Sequence, residues 1–165
     1  MILETAERCF IGLGSNLNNP KQQVERALAA LSALPHSHLV AQSSLYRSDP
    51  VGPPGQPDYI NAVAELETHL LPEQLLDHLQ AIEQSHHRVR EIHWGPRTLD
   101  LDIILFGERH ISTDRLSVPH PFATQRNFVL WPLAEVDPAL FFPDGRSIND
   151  LLVACPLGTL EKISV

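Results

Sequence analysis

Residues 99–104 alternate apolar side chains with two aspartates, Asp100 and Asp102. Because successive side chains of a β-strand point to opposite faces, this pattern predicts a strand with both carboxylates on one face. Two neighbouring carboxylates are costly to bury unless a cation holds them, and their oxygens suit Mg²⁺. A solvated polar strand face is one interpretation of an Asp-x-Asp pair. The Trp-Gly-Pro-Arg sequence at residues 94–97 favours the other, a site for Mg²⁺ and a nucleotide.

The composition is ordinary for a globular protein, with 43% hydrophobic and 19% charged residues. A chain of 165 residues is large enough for a real core, so we expect a single domain over 1–165. We expect no secretion signal, because residues 1–7 lack a basic region and a long apolar stretch. We expect no membrane partner, because no stretch approaches the roughly 20 apolar residues that span a bilayer. Cys9 and Cys155 lack metal-ligand spacing, which predicts free thiols and a cytoplasmic location.

The charge distribution favours a small anionic ligand over a nucleic acid. The net charge is -8, and ten of the twelve basic residues are arginines. Residues 86–126 are the exception, because six arginines there outnumber five acids. The planar arginine side chain suits phosphate groups, so this segment is expected to hold a small polyphosphate.

The hydrophobic periodicity predicts the order strand, helix, strand, strand, helix, strand. The strands are expected near residues 9–13, 39–47, 58–67 and 100–106, and the helices near 20–34 and 72–82. This order predicts an α+β fold (an α/β sandwich) with a ferredoxin-like βαββαβ core, in which an antiparallel sheet lies under two helices. A C-terminal extension is expected to add a hairpin at 107–118 and short helices near 121–134 and 147–154.

The segment Gly12-Leu13-Gly14 has the start of a dinucleotide-binding pattern, but Leu17 stands in place of the third glycine. We therefore interpret these glycines as part of a strand-to-helix turn that needs positive φ. Asn18 or Asn19 is expected to cap the following helix, with Pro20 at its first position. The chain has no Gly-x-x-x-x-Gly-Lys-Ser/Thr phosphate loop, and its nine histidines show no zinc-ligand spacing.

Arginines and aromatic residues accompany the predicted acidic strand. Six side chains are candidates for neutralising phosphates or donating to them: Arg88, Arg90, Arg97, Arg115, Arg126 and His120. Phosphoryl transfer depends largely on such charge neutralisation and on alignment. Tyr59 and Asn61 share one face of a predicted strand and together suit a flat heterocycle, with Trp94 and Phe128 as further stacking surfaces. The alternative for Tyr59 and Asn61 is an exposed strand face without a ligand.

These motifs together resemble the 6-hydroxymethyl-7,8-dihydropterin pyrophosphokinase family of folate biosynthesis. The resemblance covers nearly the whole chain and is carried by residues 12–17, 46–47, 56–61, 88–90, 94–103, 118–121 and 128–133. It implies a ferredoxin-like α/β sandwich and the transfer of diphosphate from ATP to the hydroxymethyl group of the pterin, giving AMP. Asp49, the short stretch 91–93 and Pro121 depart from the family's pattern.

The resemblance also implies roles for individual residues. Asp100 and Asp102 are implied to bind two Mg²⁺ ions and to act in catalysis with Arg90, Arg97 and His120. The implied pterin-binding residues are Ser48, Val51, Tyr59, Asn61, Trp94 and Phe128. The implied ATP-binding residues are Gln80, Glu83, Arg88, Arg90, Arg97, Ile103, Arg115, Ser117, His120 and Arg126. We expect the protein to act as a monomer.

Two other functions stay open at the level of the residues. A non-catalytic ferredoxin-like ligand-binding module has no need for two metal carboxylates beside five guanidinium groups. A different metal-dependent nucleotidyl or phosphoryl transferase would use the same acids and arginines. Only Tyr59, Asn61 and Phe128 favour a pterin acceptor over another substrate.

Overall fold

The computed structural model describes residues 1–17, 19–49, 55, 57–86 and 98–163. The helices are α1 (Pro20–Ser32), α2 (Pro72–His86), α3 (Asn127–Val136) and α4 (Ile148–Ala154), with a 3-10 turn at Ala123–Gln125. The strands are β1 (Glu7–Ser15), β2 (Ser37–Gln42), β3 (Tyr46–Ser48), β4 (Tyr59–Thr68), β5 (Asp100–Phe106), β6 (Ile111–Ser112), β7 (Ser117–Val118) and β8 (Glu161–Lys162). The predicted α+β order is confirmed, except that the strand expected at 39–47 is divided into β2 and β3.

The main sheet is antiparallel and runs in the order β5-β1-β4-β3-β8, with β2 also paired to β4. Its central part has the ferredoxin-like arrangement that the sequence predicts. β6 and β7 form the predicted C-terminal hairpin. The register places Gly14 of β1 directly between Asp100 of β5 and Asn61 of β4. Residues far apart in the chain are thereby neighbours in one row across the sheet.

One face of the sheet is covered by α1 and α2. Their helical periodicity buries Leu28 and Leu31 of α1 and Leu75 and Leu79 of α2. We call the cluster that these side chains form with the sheet the α1/α2 core, and its strand residues include Ile11, Leu13, Ile60, Ala62, Leu101 and Ile103. Alternate residues of β1 and β4, and Leu101 and Ile103 of β5, therefore contribute to this core, as strand alternation requires.

The opposite face of the sheet is covered by α3 and α4. Leu130 and Leu133 of α3 and Ile148 of α4 pack there, in what we call the α3/α4 core. The strands contribute Phe10, Val63, Ile104 and Leu105 to it. The short helices of the C-terminal extension thus add a third layer, and β4 is buried on both faces.

The start of α1 follows the prediction only in part. Pro20 occupies its first turn as expected, since its missing N–H has no helical partner to lose there. Asn19 occupies the N-cap position, which is one of the two predicted, but it adopts left-handed backbone angles (φ 62°) and its side chain makes no capping hydrogen bond. The alternative cap, Asn18, lies outside the described residues.

Cys9 and Cys155 are free thiols, as predicted, with Cys9 buried in the α1/α2 core. Within the part of the chain that the structure describes, no helix is long and apolar enough to cross a membrane.

Candidate active site

The glycines of β1 form a flat floor between the acidic strand and the strand that carries Asn61. Gly12 and Gly14 lie inside β1 and neither has positive φ, so their interpretation as a strand-to-helix turn is wrong. Because they have no side chains, they leave space above β1. A Cβ atom on Gly14 would lie 3.2 Å from Asn61 Nδ2, and one on Gly12 would lie 3.2 Å from Ile104 Cδ1.

A cavity of about 550 Å³ opens over this floor, a size typical of small-molecule sites. It brings together predicted site residues from four parts of the chain: Ser48, Tyr59, Asn61, Asp100, Asp102, His120, Arg126 and Phe128. Carboxylates, a guanidinium group and aromatic rings thus face one space. The arrangement can hold an anionic group and a flat heterocycle side by side.

Asp100 and Asp102 reach the cavity from β5 because they alternate with Leu101 and Ile103, which are buried in the α1/α2 core. Asp100 is half-buried, and Asp102 is exposed. Among the described residues, no group of three or more His, Cys, Asp or Glu side chains could hold a metal ion by itself. The pair still suits Mg²⁺, because this ion commonly takes one or two protein carboxylates and completes its shell with water and substrate phosphates.

His120 lies beside the acidic pair. Its backbone N–H donates to Ile104 O of β5 (3.0 Å), and its ring Nδ1 accepts from the backbone N–H of Phe122 (3.2 Å). Burial lowers the pKa of His120; the Asp102 carboxylate opposes this shift, and the Arg126 guanidinium adds to it. A neutral imidazole that accepts at Nδ1 carries its proton on Nε2. His120 is therefore set up as a hydrogen-bond donor in its neutral form.

Asn61 is anchored by the neighbouring strand. It is only 4% exposed, and its Oδ1 accepts a hydrogen bond of 2.7 Å from Ser48 Oγ of β3. The amide Nδ2 is then the group on the Gly14 side of the floor. Since the Ser48 bond fixes the amide orientation, Asn61 presents a defined pattern to the edge of a heterocycle.

Arg126 lies between two aromatic rings at the start of α3. Its guanidinium carbon is 5.4 Å from the ring centre of Phe122 and 5.7 Å from that of Phe128, both within cation–π range. Phe128 itself lines the cavity. A guanidinium group and an aromatic ring are thus held next to each other.

Other predicted ATP residues lie outside the lining of this cavity: Gln80, Glu83, Ile103, Arg115 and Ser117. Ile103 is buried in the α1/α2 core, and Glu83 accepts a hydrogen bond from the backbone N–H of Leu101 (2.8 Å). Arg115 donates to Asp77 Oδ1 (2.6 Å), Gln80 Oε1 (3.2 Å) and Glu73 Oε1 (3.3 Å) of α2. Their assignment to ATP stays a prediction.

The remaining predicted site residues, Val51, Arg88, Arg90, Trp94 and Arg97, lie outside the described residues. Sequence reasoning missed several residues that line the cavity, namely Gly12, Gly14, Gln125, Asn127 and Cys155. The glycines had a signal, because two glycines at i, i+2 in a strand can mark a surface that needs space. Nothing in the local sequence points to Cys155.

The fold and the cavity are typical of an α+β enzyme that transfers a phosphoryl-type group to a small heterocyclic substrate. Residues 10–138 match the family described as 7,8-dihydro-6-hydroxymethylpterin-pyrophosphokinase (HPPK). The chain belongs to this family, whose enzymes transfer pyrophosphate to hydroxymethyldihydropterin in folate biosynthesis.

Relatives from several bacteria share this similarity. A 2-amino-4-hydroxy-6-hydroxymethyldihydropteridine pyrophosphokinase of Pseudomonas aeruginosa is 52% identical over 157 residues, which cover 95% of this chain and 97% of that protein. A protein of the same name from Haemophilus influenzae is 50% identical over 143 residues, covering 87% of this chain and 89% of that one.

Solved structures support the fold. The wild-type HPPK-DHPS of Plasmodium falciparum with SDX-DHP superposes with a TM-score of 0.72 at 14% identity. The match covers 90% of this chain but only 44% of that one, so this chain spans less than half of the solved protein's length.

Proposed function

We propose that this enzyme transfers the terminal diphosphate of ATP to the hydroxymethyl group of 6-hydroxymethyl-7,8-dihydropterin, with Mg²⁺ bound at Asp100 and Asp102. One observation carries the proposal: a single cavity joins this acidic pair to Asn61 and Phe128. The acids suit the metal-bound phosphates, and the amide with the aromatic ring suits a pterin.

We assign the pterin to the side of the cavity formed by β3, β4 and α3. Asn61 would pair with the edge of the ring through the amide that Ser48 orients. Tyr59 and Phe128 would supply stacking surfaces, because both line the cavity. Val51 and Trp94, which lie outside the described residues, are proposed as further pterin contacts.

We assign the phosphates to the side formed by β5, His120 and Arg126. Two Mg²⁺ ions at Asp100 and Asp102 would neutralise phosphate charge. His120 would donate from Nε2 and Arg126 from its guanidinium group, and Arg90 and Arg97 are proposed to act with them. Hydrogen bonds of this charge-assisted kind are worth about 1.5–3 kcal/mol each.

The proposed reaction is a displacement at the β-phosphorus of ATP. The hydroxymethyl oxygen forms a bond to this phosphorus while the bond to the oxygen shared with the α-phosphorus breaks. AMP leaves with that oxygen and its electron pair, and the hydroxyl proton passes to water. The chain's contribution is to align the two substrates and to neutralise the charge that builds up on the phosphates.

The remaining ATP contacts are proposed at the neighbouring edge, where β5 and β7 lie beside α2. They comprise Gln80, Glu83, Ile103, Arg115 and Ser117, and Arg88, which lies outside the described residues, is proposed as a further ATP contact. Arg115 has to exchange its contacts with Asp77 and Glu73 for the nucleotide, since these acids hold its guanidinium group. The hydrogen bond to Asp77 raises the pKa of Arg115. The guanidinium group stays charged without this bond, because the ordinary pKa of arginine already lies far above neutral pH.

We also propose that residues 1–165 act as one domain, as a monomer in the cytoplasm, without a nucleic-acid partner. The net charge of -8 and the two free thiols support this proposal. Light scattering at assay concentration tests the monomer.

The test of the reaction is an incubation of the protein with ATP, Mg²⁺ and 6-hydroxymethyl-7,8-dihydropterin, followed by separation of the nucleotides. AMP and the pterin diphosphate are expected in equal amounts. ADP as the nucleotide product would contradict diphosphate transfer. Activity that persists after thorough removal of divalent cations would contradict the role given to Asp100 and Asp102.

A further inference from the structure

Glu135, near the end of α3, receives several hydrogen bonds from the segment that leads into β3. Its Oε2 accepts from the backbone N–H (3.0 Å) and the hydroxyl (2.8 Å) of Ser44, and its Oε1 accepts from the Tyr46 hydroxyl (2.5 Å). The ammonium group of Lys162 in β8 lies 3.8 Å away. One carboxylate thus ties α3 to two strands at the far side of the sheet.

The position of Glu135 in the helix makes these contacts necessary. A negative charge in the last turn of a helix faces the negative end of the helix dipole, which is unfavourable. Burial alone would raise the pKa of Glu135, but the hydrogen bonds from Tyr46 and Ser44 outweigh it and lower the pKa. The pKa of Tyr46 is raised by burial and by Glu135, so the proton stays on the phenol. The pair is a charged acceptor with a neutral donor.

We call the contacts of Glu135 with Ser44 and Tyr46 the clamp. On the helix side, the clamp lies on the face of α3 that also faces the cavity. Phe128 precedes Glu135 by seven residues, which is two helical turns, so both side chains lie on the same face of α3. Phe128 lines the cavity, whereas Glu135 contacts the sheet next to it. Because Glu135 and Phe128 belong to one helix, the contacts of Glu135 with β3 act together with the packing of Leu130 and Leu133 to hold the Phe128 ring over the floor.

On the strand side, the clamp leads to Asn61. Tyr46 is the register partner of Asn61 in the β3–β4 pair. Ser48, two residues after Tyr46, donates to the Asn61 amide. The strand that Glu135 holds is therefore the strand that orients the amide.

We infer that Glu135 is a positioning residue for the pterin: by fastening α3 to β3, it fixes the gap between the Phe128 ring and the Asn61 amide. The inference rests on the proposed placement of the pterin between these two groups. Glu135 does not touch the substrate, because it is not among the side chains that line the cavity.

The experiment is titration calorimetry of pterin in the presence of Mg²⁺ and a non-hydrolysable ATP analogue. Glu135→Gln keeps the shape of the side chain but removes the charge, and is expected to raise the Kd for pterin by about tenfold, given that charge-assisted hydrogen bonds are lost. The fraction of binding-competent protein and the Kd for the ATP analogue are expected to stay unchanged. Glu161→Gln is the matched control, since its exposed carboxylate contacts only Arg47, at 3.6 Å, among the described ion pairs.

Tyr46→Phe distinguishes a positioning role of the clamp from a general loss of stability. It removes only the hydroxyl, so a smaller rise in the Kd for pterin is expected. The double variant is expected to bind pterin no more weakly than Glu135→Gln alone, because both changes break the same contact. Additive effects would overturn the inference. So would a reduced fraction of competent protein that binds pterin with the wild-type Kd, which is the signature of a purely structural role.

Asn61→Ala in the same titration tests the proposed function separately. If Asn61→Ala weakens pterin binding and Glu135→Gln does not, the positioning role alone is wrong. If Asn61→Ala leaves pterin binding intact, the proposed pterin placement is wrong, and the inference built on it falls with it.

Discussion

The two faces of the main sheet are built from the same strands but serve different ends. Toward α1 and α2, β5 contributes Leu101 and Ile103, which both pack into the α1/α2 core. Toward α3, the same strand contributes Asp100 and Asp102 before Ile104, so the surface changes from polar to apolar along the strand. Alternation lets one strand contribute to the stability of one face and to the chemistry of the other.

This difference separates stability from function in space. The polar end of the α3 face leaves a cavity over glycines, where bulkier side chains would have filled the space and stabilised the fold. The α1/α2 core supplies the packing, and its members Ile11, Leu31, Leu75 and Leu79 are fully buried. Substitutions on the two faces should therefore affect different measurements.

The largest effect on stability is expected on the α1/α2 face. Leu79 of α2 is fully buried, so Leu79→Ala should lower the free energy of unfolding by about 2–5 kcal/mol, through lost contacts and a residual cavity. The folded fraction should still bind pterin and ATP normally. Urea unfolding and calorimetry on the same preparation measure both quantities. A weakened pterin affinity with intact stability would mean that the two faces are not separate.

At the acidic pair, a substitution is expected to lower kcat and to leave the free energy of unfolding nearly unchanged. Asp102→Ala should lower kcat by about 10²–10³-fold, the loss typical when transition-state charge is no longer stabilised. Stability should hold or rise by less than about 1 kcal/mol, because two like charges no longer repel each other. AMP formation at saturating Mg²⁺ and thermal unfolding measure the two effects. A near-normal kcat would remove Asp102 from the proposed site.

The two glycines of β1 allow a matched comparison of substitutions within one strand. Gly14→Ala places a methyl group 3.2 Å from Asn61 Nδ2, and overpacking of this kind costs about 1–3 kcal/mol. Pterin binding should weaken because the amide has to move. Gly12→Ala is the matched control, since its methyl group meets the end of the flexible Ile104 side chain at the same distance. Equal losses of pterin affinity in the two variants would contradict the role given to Gly14.

The smallest effect is expected at Arg115, at the edge of the sheet. Asp77→Asn removes the nearest acidic partner of this guanidinium group and should tighten binding of an ATP analogue by about twofold, since exposed ion pairs are weak. Asp114→Asn, an exposed acid next to Arg115, controls for the change in net charge. The gain should vanish in an Arg115→Ala background. A gain that persists there would show that Asp77 acts on ATP only through general electrostatics.

Much of this arrangement follows from the sequence. Strand alternation is enough to place Asp100 beside Asp102 and Tyr59 beside Asn61, and helical periodicity gives α1 and α2. The family motifs then identify eight residues that the fold brings to one cavity. These features depend on local periodicity or on long matched segments, which is why they can be read without the structure.

What the sequence does not give depends on contacts between distant segments. In a sequence, glycines that adopt positive φ cannot be distinguished from glycines that leave space for a neighbouring side chain. The sequence alone therefore does not indicate the role of Gly12 and Gly14. The pairing of Arg115 with α2 and that of Glu135 with Tyr46 join residues 38 and 89 positions apart. Only the folded sheet brings such side chains together.

β8 has a consequence for how copies of the protein meet. An uncovered strand edge offers unpaired N–H and C=O groups, which can template aggregation with a neighbouring molecule. At β3 this edge is taken by β8, whose two residues, Glu161 and Lys162, are charged and exposed. A second copy that approaches this edge contacts a very short strand with one negative and one positive side chain. The segment that completes the sheet thereby also protects the protein's solubility at this edge.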